Sequence, residues 1–127
     1  LIAFTAYRRN RKKSYSETIK NEEKRIYKMI DSAKKLTNDK SQFYDIIEKS
    51  IIKSLMVKFS ISMESLNKEK IQEITKNKGL SSENISQIIN LIENCEKAKY
   101  SRSSDSAMNK DSEDARKVVG IIMNINS

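Results

Sequence analysis

Two glycines and no proline occur in 127 residues. A sandwich or barrel turns every few residues, and those turns call for Gly, Pro, Asn or Asp at special backbone angles. A helical domain needs far fewer such positions, so scarcity of turn formers predicts an all-α fold. At this length the chain is one domain with a modest core. Eight of its residues are aromatic, and no large apolar pocket for a cofactor is expected.

Polar breaks and apolar spacing divide the chain into about five helices in a small irregular bundle. Ser14 or Ser16 can cap a first helix reaching about Leu36, on which Ile19, Ile26 and Ala33 recur every seven residues with Ile30 between them. Glu22 and Glu23 interrupt that stripe, so two placements are open: a stalk-like, mostly solvated helix, or a peripheral helix lying on the domain. Asp39 is a good N-cap for a second helix to about Phe59. There Phe43, Ile47, Ile51 and Leu55 fall four apart with Ile46 beside them, which predicts the central buried helix.

Ile61, Met63 and Leu66 form a short apolar connection, and Asn67 caps a third helix to about Lys78. Gly79 is placed as a left-handed stop. Ser81 caps a fourth helix to about Lys99, with Ile85, Ile88, Ile92 and Cys95 on one face. After a polar stretch at 101–104, a fifth helix from about Asp105 to Ile125 presents Met108, Ala115, Val118, Val119, Ile122 and Ile125. The organisation is read as 1–13, 14–39 and 40–127.

His is absent. That removes the usual general base, the usual zinc ligand and every Ser-His or Cys-His pairing. No catalytic residue, cofactor site or metal site is expected, and the chain is read as a non-enzyme. Asn109, Asp111 and Glu113 alternate as calcium-loop ligands do, but no Gly follows and the positions are helical. Cys95, the single cysteine, excludes an internal disulfide and lies on an apolar stripe, so it reads as a small core residue.

The formal charge of +8 is uneven. Residues 1–40 hold 12 Lys/Arg against 5 Asp/Glu, and residues 41–127 hold 13 against 12. Arg8, Arg9, Arg11, Lys12 and Lys13 directly follow the largely apolar run LIAFTAY. A basic block flush after an apolar run is the signature of the cytoplasmic end of a transmembrane helix, whereas a secretory signal has the opposite order. Seven residues cannot span a bilayer, which needs about 20. The expectation is therefore a span upstream and an anionic membrane surface as partner of the basic block.

The alternative is a soluble helix-turn-helix protein that binds nucleic acid. Gly79 sits at a helix-turn-helix junction, and Ile74, Leu80, Ile85 and Ile88 fall where two such helices pack. A DNA reader needs cationic or amide groups on its second helix. Here that helix has no Lys or Arg before Lys97 and carries Glu83 and Glu93, which argues against nucleic acid.

The run from Phe43 to Ser101 resembles the cytoplasmic C-terminal region of BatD proteins of the bacterial aerotolerance operon. An aromatic-led helix, an apolar connection, helix-Gly-helix and a final amphipathic helix follow in the family's order. Cys95, Glu96, Ala98, Lys99 and Tyr100 form the most specific piece of the resemblance. It implies a single-pass protein of the bacterial inner membrane with this region in the cytoplasm. It also implies partners among von Willebrand type A domain membrane proteins and a MoxR-type AAA+ ATPase, in stress tolerance, without catalysis by this region.

Overall fold

The computed structural model describes residues 2–36, 38–99 and 105–125, and side chains within 17–36, 38–99 and 107–125. Five α-helices follow one another: α1 (Ile2–Ala33), α2 (Lys40–Phe59), α3 (Lys68–Asn77), α4 (Ser82–Ala98) and α5 (Asp105–Met123). Short 3-10 turns at Lys34–Leu36 and Met63–Ser65 lie between α1 and α2 and between α2 and α3. The fold is all-α, with no strand among the described residues.

The local rules account for most helix ends. Asp39 Oδ1 accepts from Gln42 N–H at 3.1 Å, Asn67 Oδ1 from Lys70 N–H at 2.7 Å and Ser81 Oγ from Asn84 N–H at 3.1 Å. Each bond satisfies one of the donors that a helix start leaves over. Gly79 takes φ +84°, and Leu80 N–H closes on the Thr75 carbonyl at 3.0 Å. Ser60 also adopts a left-handed φ of 53° after α2, where Gly is the usual choice.

The first helix begins at Ile2 rather than at Ser14 or Ser16. The physical reason is that residues 2–16 hold no Gly or Pro, and Ala, Arg and Lys are good helix formers. A Ser caps a helix only where something else has ended the turn before it. At 32 residues, α1 is about 48 Å long. Its C-terminal half lies on α2 and α5, and Ile26, Ile30 and Ala33 have no solvent exposure. Arg116 of α5 adds a bond to Asp31 of α1 at 2.6 Å, and its guanidinium stands 4.9 Å from the centre of the Tyr27 ring.

The core centres on α2, which packs against α1, α4 and α5. Phe43, Tyr44, Ile47, Ile51 and Leu55 are all buried, as the four-residue spacing predicts. Ser50 and Ser54 lie among them, their hydroxyls donating to the Ile46 and Ser50 carbonyls at 2.8 Å each. The other walls are Ile88, Ile92 and Cys95 from α4 and Met108, Ala115, Val118, Val119 and Ile122 from α5. Lys58 Nζ donates to the Met123 carbonyl at 3.2 Å, a cation at the end of α5 where the helix dipole favours one.

Candidate functional site

The motif at the end of α4 divides between two surfaces. Cys95 and Ala98 face the core and are buried, because positions three apart share a helix face. Lys99, one position on, folds over α2. Its Nζ lies 3.2 Å from Glu48 Oε2, an atom shielded from water, and 3.5 Å from Asp45 Oδ1. Glu96 turns the other way and meets Lys68 at 3.4 Å, and Lys68 also meets Glu93 at 3.5 Å. Tyr100 lies outside the described residues. The structure thus brings Cys95, Ala98 and Lys99 to the α2–α4 seam and leaves Glu96 on the α3–α4 side.

Electrostatics at this seam favour order over reactivity. Burial pushes the Cys95 thiol up to about 12, and the Glu48 and Asp111 carboxylates act in the same direction against Lys99. A thiol so protonated is a poor nucleophile. Burial works against the Lys99 charge, yet the neighbouring Glu48 and Asp45 carboxylates outweigh it and raise the lysine's pKa. The Lys49 hydrogen bond holds Asp45 below its ordinary value, burial opposes that, and the charges of Lys49 and Lys99 add to it.

The side chains of Arg8, Arg9, Arg11, Lys12 and Lys13 lie outside the described residues; their backbone is part of α1. No described helix is long and apolar enough to cross a membrane. Across α3 and α4, Ile88 is in the core, with Leu80 and Ile85 against it. The outward residues Glu83, Ser86, Gln87 and Asn90 of α4 include no cation.

The calcium-like trio does not converge. Asp111 is buried, while Asn109 and Glu113 are exposed on other sides of α5. Asp111 instead joins three helices. Its Oδ2 accepts from the Tyr44 hydroxyl of α2 at 2.5 Å, and its Oδ1 from Asn94 Nδ2 of α4 at 3.2 Å. The signal for this was present in the residue spacing: Asp111 falls between Met108 and Ala115 on the buried stripe. An acid at such a position needs partners, and only the fold names them. No group of three or more His, Cys, Asp or Glu among the described residues could hold a metal ion.

Beside Asp111, α4 and α5 part to leave a groove of about 500 Å³, walled by polar side chains of both helices. Residue spacing alone did not single it out. Comparison of the chain with protein-family models, curated proteins and solved structures finds no match.

Proposed function

We propose that this chain is a non-catalytic interaction module at the cytoplasmic face of a single-pass membrane protein, as its resemblance to BatD proteins implies. It would act as a docking scaffold in a membrane-associated stress-tolerance complex. The resemblance supplies the expected partners: von Willebrand type A domain membrane proteins and a MoxR-type AAA+ ATPase. It also supplies the place, the bacterial inner membrane.

One observation carries the reading. Residues 2–7 of the apolar run, the basic block and the core residues Ile26, Ile30 and Ala33 belong to one unbroken helix. Lys13 and Ile26 are 13 residues apart, about 20 Å along that axis. A span that continued into α1 would therefore hold the domain at a set distance from the bilayer. The five basic residues would fix its sidedness, each contributing about 1 kcal/mol near an anionic surface.

The experiment is done on the full-length parent, tagged after Ser127. Membrane fractionation and protease accessibility from each side are measured. A membrane-held tag cleaved only from the cytoplasmic side is the expected result. A soluble parent, or a tag cleaved only from the other side, overturns the reading. Replacing Arg8, Arg9, Arg11, Lys12 and Lys13 together by Gln is expected to change the topology or weaken binding to anionic vesicles.

A further inference from the structure

The α4–α5 groove carries unspent bonding groups in an ordered row. Its volume of about 500 Å³ is within the range of ligand sites. Gln87 and Asn90 line one wall, and Lys110, Asp114 and Lys117 line the other. Leu91 and Val118, both buried, also line it. Among the described residues, none of the five polar side chains has a hydrogen-bond or ion-pair partner. Asp114 stands four residues from Lys110 and three from Lys117, spacings at which helical ion pairs form. Such pairs do close elsewhere, Arg25 with Glu22 at 2.9 Å and Lys49 with Asp45 at 2.8 Å.

The row has the dimensions of an extended peptide. Along a helix axis, Lys110 to Asp114 is about 6 Å and Lys110 to Lys117 about 10.5 Å. An extended chain advances about 6.7 Å in two residues and about 13 Å in four, and only alternate side chains share a face. A strand lying in the groove would therefore match plus, minus, plus with acidic, basic and acidic residues at every second position, the flexible lysine stems taking up the remaining distance of about 3 Å. Across from these charges, each side-chain amide offers a donor and an acceptor, the pair that a peptide group requires. The negative charge between the two lysines disfavours a run of phosphates, and the amides suit a backbone that alternates N–H and C=O.

We infer that the α4–α5 groove binds an extended segment of a partner protein of the form acidic-x-basic-x-acidic, held by Gln87 and Asn90 through its main chain and by Lys110, Asp114 and Lys117 through its side chains. This order, which reads the same in reverse, does not occur in the chain's own 127 residues. A separate partner therefore fits better than a second copy. The inference rests on the interaction-module reading and names the surface that module would use.

The test is an NMR titration of the ¹⁵N-labelled chain with the peptide acetyl-GESKSEG-amide and its charge-swapped counterpart acetyl-GKSESKG-amide. The first is expected to shift backbone amides of residues 86–95 and 109–118 in a saturable way. The second should bind at least 10-fold more weakly. Lys110→Glu, Asp114→Lys and Lys117→Glu combined should invert that preference, a gain that misfolding does not imitate. Should that variant not fold, Gln87→Ala with Asn90→Ala should weaken the first peptide at least fivefold. Equal binding of both peptides, shifts mapping elsewhere, no saturable binding or an unchanged preference overturns the inference. Membrane topology is measured separately, so a failed groove leaves the membrane reading standing, and a soluble parent leaves the groove standing.

Discussion

Helix α2 buries Phe43, Tyr44, Ile47, Ile51 and Leu55 between α1, α4 and α5, whereas α3 buries Ile71 and Thr75 and packs mainly on α4. Both helices start with a side-chain cap onto the third residue beyond it. Both stop on a left-handed residue, Ser60 after α2 and Gly79 after α3. Their local chemistry is alike; what differs is how many neighbours surround them. Helical stability in proteins comes mainly from such packing rather than from propensity. A strained end is therefore tolerated where burial is large, and α2 ends on Ser where α3 ends on Gly.

The sharpest way to break this comparison is a pair of truncations. Ile51→Ala is expected to cost about 2–5 kcal/mol, because a fully enclosed site between helices collapses poorly. Ile71→Ala should fall at or below the low end of that range, since α3 has fewer neighbours to hold a cavity open. Urea midpoints at constant slope decide it. Equal losses would mean that α3 is as firmly held as α2.

Alkaline pH offers a second contrast. The folded chain keeps the Cys95 proton to about pH 12, while an unfolded thiol loses it near pH 9. Its contribution is therefore complete below pH 9 and lost progressively as pH rises towards 12. Unfolding midpoints of the chain should fall across that window. In Cys95→Ala the fall should be smaller, and the α3 variant Ile71→Ala should retain it. Thiol labelling at pH 8 should be slow in the native chain and fast in urea.

Tyr44→Phe removes the hydroxyl that donates to Asp111 and leaves a buried carboxylate oxygen short of a donor. A loss of about 1–3 kcal/mol is expected from thermal or urea unfolding. The exposed Lys70–Glu73 pair of α3, at 3.9 Å, should contribute almost nothing when Lys70 is replaced by Ala. Effects of up to about 1 kcal/mol belong to the two helix ends. Gly79→Ala should cost about 1 kcal/mol because a Cβ is disfavoured at positive φ, although nothing lies within 4 Å of where it would sit. Ser60→Gly should stabilise by up to about 1 kcal/mol at the corresponding place. If Ser60→Gly destabilises instead, the end of α2 is not strained.

Asp39, Asn67, Ser81 and Gly79 were legible in the sequence because each acts within a few residues of itself. The buried face of α5 was legible too, since its apolar residues repeat at helical spacing over several turns. Lys99 was legible only as part of a resemblance. Its partners Asp45 and Glu48 lie more than 50 residues away, and no local pattern joins them. Gln87 and Asn90 were invisible as site residues. They read as ordinary exposed positions until α5 brings Lys110, Asp114 and Lys117 opposite them.

By itself the sequence determined the helical class, because it lacks the residues that tight turns require, and it determined the caps and stripes that each helix carries. Tertiary structure alone decided which stripes meet. It placed Ile26, Ile30 and Ala33 of α1 against α2 and α5, although Glu22 and Glu23 interrupt that stripe. It also set Tyr44, Asn94 and Asp111 from three helices within hydrogen-bond reach. The physical reason is range: a cap or a stripe is a property of neighbouring residues, whereas a core and a groove exist only after helices distant in sequence exclude water between them.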